Sequence, residues 1–193
     1  MEVGFLKRKK EKERGKGMGE RIDIYDANRR LTGETKDRKT SKLADDEYML
    51  YALALIEDLN GNYLITQRKA NKKWAALWWE IPGGGCHAGE DSRQGINREV
   101  LEETGLDVSG LTPVSVYSYV NHDAENHDNY FCDIYHFQLD FSMEDVTLQV
   151  EETEDGAIAS IEEIKKEGSK GTFLHYQRIR EALMAESHTS IIS

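Results

Sequence analysis

Residues 84–106 read GGCHAGEDSRQGINREVLEETGL, and this stretch decides the fold. Asp91 or Ser92 offers a short side-chain oxygen that can accept the free amides of a first helical turn. The helix is expected to run to about Thr104 and to stop at Gly105, a residue suited to the left-handed position past a helix end. Inside it, Glu99, Glu102 and Glu103 fall at i, i+3 and i+4 and share one face. Like charges at that spacing repel, so three carboxylates beside a glycine-rich loop call for a counter-charge. Hard divalent cations prefer oxygen ligands, which makes the triplet a candidate metal site; a solvated acidic face is the competing reading. Ile96, Val100 and Leu101 are expected to supply part of the opposite, apolar face. Gly95, in the helix interior, should cost about 1 kcal/mol relative to alanine.

The same stretch fills every fixed position of G-x5-E-x7-R-E-U-x-E-E-x-G-U, where U is aliphatic: Gly84, Glu90, Arg98-Glu99-Val100, Glu102-Glu103 and Gly105-Leu106. At average residue usage the chance match is on the order of 10⁻⁹ per starting point, so the pattern is specific. It resembles the signature of the Nudix family. The resemblance implies an α/β (α+β) fold, an α/β/α sandwich around a mixed β-sheet. It also implies hydrolysis of a diphosphate linked to another moiety, dependent on Mg²⁺, with Mn²⁺ as the alternative ion. By position, Glu99, Glu102 and Glu103 match the metal-binding carboxylates, and a backbone carbonyl at Gly83 or Gly84 completes such a shell. Arg98 matches the arginine that orients a box glutamate, and Glu90 matches a supporting glutamate. Gly95 and Ile96 stand where small alanines are usual, which bears on packing rather than on chemistry.

A chain of 193 residues with 38% hydrophobic content suits one domain, expected over 18–185 with a tail at 186–193. The net charge of −11 argues against a stable nucleic-acid or anionic-membrane partner. A small diphosphate-containing substrate remains compatible, because a bound metal locally reverses the field. No apolar run is long enough to span a bilayer, and no secretory signal is visible. Two cysteines, Cys86 and Cys132, do not make a disulfide framework, so a reduced, cytoplasmic setting is expected. Residues 1–17 are strongly basic without apolar periodicity and read as a disordered tail. Met18 opens a conventional start, so the preceding residues are expected to come from a mis-set start.

Residues 21–35 read as strand, turn and short second strand, with Ile22 and Ile24 alternating before Asp26-Ala27-Asn28. This segment resembles the lead-in of the Nudix subgroup that includes isopentenyl-diphosphate isomerases. Residues 48–58 form a near-continuous apolar run, expected as a buried strand that pairs in a hairpin with 63–68 through the Asn60-Gly61 turn. Arg68, Lys69, Lys72 and Lys73 then cluster, as substrate-phosphate contacts or as a solvated loop. Of Trp74, Trp78 and Trp79, at least two are expected in the core, while one, with Trp78 the candidate, could stack on a substrate ring. Cys86 and His87 lack the paired spacing of a zinc site.

Residues 114–121 and 129–141 read as two strands joined by a His/Asp-rich loop that could bind a second metal but reads better as a solvated hairpin loop. Residues 151–164 resemble the family's later segment, a glutamate-rich loop followed by a strand and a helix. There Glu152, ahead of Glu151 and Glu154, is a candidate base or added ligand. Ser160 to Glu163 has capping-box spacing, and 172–185 read as a closing helix with Tyr176, Ile179 and Leu183 on one face.

The expected mechanism is attack of water at phosphorus, with a glutamate of the box (Glu102, Glu103) or Glu152 taking the proton. Two rivals stand beside it. An isomerase would need its catalytic cysteine where Gly83 stands, three residues before Cys86. A non-catalytic ligand-sensing module would be expected to lose box glutamates, and all are present. Family resemblance also admits a homodimer.

Overall fold

A computed structural model describes residues 20–189. The basic segment 1–17 and residues 190–193 of the expected tail lie outside the described residues.

The first two strands, β1 (Arg21–Tyr25) and β2 (Leu31–Asp37), form a hairpin of their own. Its turn is organised by Asp26, whose carboxylate accepts from the Asn28 and Arg30 amides at 2.8 and 2.9 Å. Ile22 and Ile24 bury against Leu43, as their alternation requires.

The main sheet has seven strands built around β3 (Met49–Glu57). β3 is buried on both faces, which is why its sequence is continuously apolar rather than alternating. It runs parallel to β8 (Tyr130–Gln138) from Met49↔Tyr130 to Glu57↔Gln138. The edge beyond is β7 (Ser115–Asn121), antiparallel to β8.

The expected antiparallel hairpin between β3 and β4 (Tyr63–Arg68) forms, but its ladder is short. Its loop spans 58–62 and is closed by Asp58, whose carboxylate accepts from the amides of Asn60 and Asn62 at 2.8 Å each. Only Glu57↔Tyr63 is in register. β4 then diverges to pair with β5 (Trp79–Glu80) and β9 (Thr153–Ala159). The edge of β3 it leaves is taken by β6 (Gly83–Gly85), paired at Tyr51–Leu53. This divergence seats the glycine loop inside the sheet.

Alternate residues of β3 serve two cores. On one face Leu50, Ala52 and Ala54 pack with Ile96 and Val100 of α1 (Ser92–Thr104). On the other, Leu53 and Leu55 pack with Ile164 of α2 (Ile161–Ser169) and with Ile179 and Ala182 of α3 (Tyr176–Thr189). Helices on both faces make the α/β/α sandwich expected. α3 begins at Tyr176 rather than at 172 and continues past 185, where Glu186 reaches the His136 imidazole at 2.9 Å. Leu101, expected on the apolar face of α1, is 51% exposed; it projects from the outer side while Ile96 and Val100 fill the core. No helix among the described residues is long and apolar enough to cross a membrane.

Candidate active site

α1 is held at both ends. Asp91 caps it and shares a capping box with Gln94, and Gly105 closes it at φ 75°. The helix therefore projects Glu99, Glu102 and Glu103 toward β6 from a fixed frame. The Gly83 amide donates to Glu103 Oε2 at 3.0 Å. A side chain at Gly84 would place Cβ 2.7 Å from Glu99 Oε1, and one at Gly83 would meet the Ala52 carbonyl at 2.3 Å. Only glycine lets strand and carboxylates approach this closely.

Arg98 is the hub of the acids. Its Nε and Nη2 donate to the two oxygens of Glu90, each at 2.9 Å, and Nη1 donates to Glu99 Oε1 at 2.7 Å. A longer contact of 3.4 Å reaches Glu102, and Nη2 also donates to the Gly85 carbonyl. Glu90 accepts in addition from the His87 amide at 2.8 Å. Burial alone would push the Glu90 carboxyl up, but Arg98 and the amide outweigh it and hold it below the ordinary range.

Its neighbours behave oppositely. Burial and the nearby Glu99 charge push Glu103 well above the ordinary carboxylate range. Glu103 keeps some solvent access through the cleft, yet its carboxylate is surrounded by protein on nearly every side. Glu99 and Glu80 are also raised, chiefly by burial, although arginines beside each pull the other way. A cluster of acids that resists ionisation is a site short of positive charge.

These acids line a cleft of about 550 Å³ that also receives Arg38, Arg68, Lys72 and Glu152. As the side chains stand, Glu99 is turned to Arg98 and Glu103 to the Gly83 amide. No three carboxylate, imidazole or thiol groups among the described residues converge tightly enough to ligate one ion. They surround the cleft as an oxygen-rich wall rather than a closed cage.

The remaining candidates are scattered. Arg68 and Glu152 line the cleft; Arg68 donates to Glu80 at 3.3 Å, and Glu152 is paired with Lys72. The tryptophans depart from expectation, because none is fully buried: Trp74 is 64% exposed, and Trp78 and Trp79 are half-buried. Trp79 packs on the second core, but Trp74, not Trp78, lines a cavity next to the cleft. Cys86 is buried, its thiol pushed up to about 12 by burial and Glu90. In the 122–128 loop, His122 Nδ1 meets the Tyr48 hydroxyl and His127 Nδ1 the Leu43 carbonyl, at 2.8 and 2.9 Å, so both serve structure.

Arg38 and Glu80 line the cleft without having been singled out from the sequence. Arg38 sits in a polar loop that looks solvated. Glu80 lies between Trp79 and Ile81, and a lone charge in an apolar strand was the available clue.

The family model described as the NUDIX domain matches residues 47–177. The chain is a Nudix hydrolase. A Nudix hydrolase of Listeria monocytogenes serovar 1/2a is 33% identical, the match covering 89% of this chain and 98% of that one. A crystal structure from Deinococcus radiodurans superposes with a TM-score of 0.62 at 16% identity, covering 79% of this chain and 91% of that one. A bifunctional NMN adenylyltransferase/ADP ribose pyrophosphatase of Francisella tularensis, complexed with AMP and a manganese ion, gives a TM-score of 0.59 at 23% identity. It covers 77% of this chain and 44% of that one. Both structures share this chain's fold.

Proposed function

We propose that this Nudix hydrolase cleaves a diphosphate bond in a nucleoside diphosphate-X or other small diphosphate compound, with Mg²⁺ as its ion. One observation carries the reading: a single cleft combines buried, charge-starved carboxylates with arginine and lysine side chains. The first set suits a hard cation and the second suits phosphate oxygens.

The residues fit the ion by donor type. Glu99, Glu102 and Glu103, with a carbonyl of Gly83 or Gly84, would hold it. When bound, the ion would supply positive charge beside the diphosphate oxygens and make nearby water more acidic. Arg98 keeps Glu99 in place through its fork to Glu90, and the Gly83 amide orients Glu103. A glutamate, either in the box or Glu152, takes the proton of the attacking water. Glu152 is paired with Lys72 through one carboxylate oxygen, which leaves the other to accept a proton. Such displacement depends on positioning and electrostatics, so no serine or cysteine nucleophile is required.

The isomerase alternative, suggested by residues 21–35, has less to stand on. Glycine occupies position 83, and the Cys86 thiol is buried under Gly95. Cys86→Ala is expected to leave turnover unchanged.

The test is Mg²⁺-dependent release of phosphate or pyrophosphate from a panel of nucleoside triphosphates, nucleotide sugars, and thiamine and isoprenoid diphosphates. Glu103→Gln should lower turnover by about 10²-fold or more while the protein stays folded. Near-normal turnover in that variant would refute the assignment. Silence of the folded, metal-loaded protein across the panel would favour the ligand-sensing module instead.

A further inference from the structure

Beyond Gly83 and Gly84 the cleft opens into a second cavity of about 400 Å³. Arg38, Arg68 and Glu80 line both spaces, so the two meet at a junction carrying two guanidinium groups. Past the junction the walls change character. Tyr51, Tyr130, Trp74 and Leu174 bring rings and an aliphatic face, while Asp128 and His175 bring hydrogen-bonding groups. Tyr51 and Tyr130 pack edge to face at 5.1 Å, and Arg68 lies over the Trp74 ring at 5.6 Å. Trp74 nevertheless stays 64% exposed.

Both arginines at the junction are short of partners or held in readiness. Arg68 Nε is buried and has no hydrogen-bond partner among the described residues, an arrangement that costs free energy unless a ligand supplies an acceptor. Arg38 comes from the end of the N-terminal hairpin, outside the family-matched residues 47–177. It is clamped in place: Nη1 donates to Glu20 at 2.7 Å, Nη2 donates to the Tyr51 hydroxyl at 3.2 Å, and the guanidinium lies over the Tyr51 ring at 5.2 Å. A Cβ on Gly85 would come within 2.9 Å of its Cζ, so β6 is shaped around it.

Building on the diphosphate reading above, we propose that the N-terminal hairpin is a substrate-recognition arm. Arg38, with Arg68, grips the diphosphate at the junction, and Trp74 covers a flat heteroaromatic group seated in the second cavity. A planar guanidinium pair matches phosphate oxygens in a fork geometry. A flat ring with polar edges would stack on Trp74 and give partners to the Asp128 carboxylate and to Nε2 of His175, whose Nδ1 already meets the Tyr119 hydroxyl at 3.3 Å. An isoprenoid chain would desolvate both groups without compensation, which is costly.

The experiment is titration calorimetry on the full chain, with Ca²⁺ in place of Mg²⁺ to hold back turnover and ADP, inorganic pyrophosphate and geranyl diphosphate as probes. ADP should bind about tenfold or more tighter than geranyl diphosphate. Arg38→Met should weaken ADP and pyrophosphate together by about tenfold, with partial recovery in Arg38→Lys, which keeps the charge. Trp74→Ala should weaken ADP by about tenfold and leave pyrophosphate unchanged. The proposal is overturned if geranyl diphosphate binds as tightly as ADP, if Trp74→Ala shifts both probes equally or neither, or if Arg38→Met, with an unchanged melting temperature, leaves both affinities intact. If this binding pattern holds but the hydrolysis panel is silent, the hydrolase reading alone falls. If Glu103→Gln abolishes turnover while Arg38→Met and Trp74→Ala are inert in binding, the recognition arm alone falls.

Discussion

At Gly95 the α1 backbone lies against Cys86, and a Cβ there would sit 2.5 Å from Sγ. Helix propensity by itself favours Gly95→Ala by about 1 kcal/mol. Overpacking a tight contact typically costs about 1–3 kcal/mol, so Gly95→Ala should destabilise the protein by roughly 1 kcal/mol in urea denaturation. Pairing it with Cys86→Ala removes the obstructing sulfur and should recover most of that loss. A stabilising Gly95→Ala would show that the contact is looser than described. Glu103 presents the reverse situation, since its charge rather than its bulk is what the surroundings oppose. Its carboxyl is raised by burial and by Glu99, so ionising it opposes folding. Glu103→Gln should therefore raise the melting temperature of the metal-free protein near neutral pH while abolishing turnover.

Among the elements, the N-terminal hairpin is seated on the sheet by the Tyr25–Tyr48 backbone bridge and by an ion pair. Arg29 Nη1 donates to Asp133 Oδ1 at 2.9 Å and Nη2 to Oδ2 at 2.5 Å, while Ser118 donates to Oδ1 at 2.6 Å. Burial would push the Asp133 carboxyl up, but these donors outweigh it and hold it below the ordinary range. A carboxyl depressed in the folded state contributes stability above its unfolded value of about 3.9, and loses it as pH falls through the folded value. Arg29→Met should thus cost about 1–3 kcal/mol at neutral pH, reduced because Arg29 is partly exposed. Chemical denaturation should show that cost shrinking below about pH 4; a pH-independent cost would mean packing, not charge. For α1, Asp91→Ala removes the side chain that caps the Gln94 amide at 2.8 Å. The expected loss is about 1 kcal/mol in the same assay.

For the whole molecule, three raised acids in one cleft link stability to pH and to metal. A carboxyl raised in the folded state imposes no penalty below its unfolded value of about 4.3, and its penalty grows as pH rises through the folded value. Glu80, Glu99 and Glu103 all have that sign. Because carboxyls such as Asp133 and Glu90 have the opposite sign, the test is a difference: as pH rises above about 4.3, the melting temperature of Glu103→Gln should increasingly exceed that of the metal-free protein. Millimolar Mg²⁺ should raise the melting temperature of the unsubstituted protein, more at pH 8 than at pH 5, because a ligand of the folded state stabilises by mass action. Equal melting curves with and without Mg²⁺ at pH 8 would count against the acids as a cation site.

The sequence alone determined α1, its caps at Asp91 and Gly105, and the shared face of Glu99, Glu102 and Glu103. Those features depend on spacings within a single helix, and helix geometry converts such spacings directly into position. It also determined that β3 is buried, because an apolar run that long can be satisfied only inside. Tertiary structure decided the rest of the cleft. Arg38 enters from a hairpin packed by Arg29 and Asp133, 104 positions apart in the chain. Trp74 rather than Trp78 lines the second cavity, Glu80 joins the acids, and Gly95 is required by a sulfur from another loop. β4 leaves β3 because β9, far along the chain, offers it a longer ladder, and the edge it leaves receives the glycine strand. Local spacing says what a segment can become. Which segments meet depends on how the whole chain buries its apolar surface and satisfies its backbone, a choice no single stretch encodes.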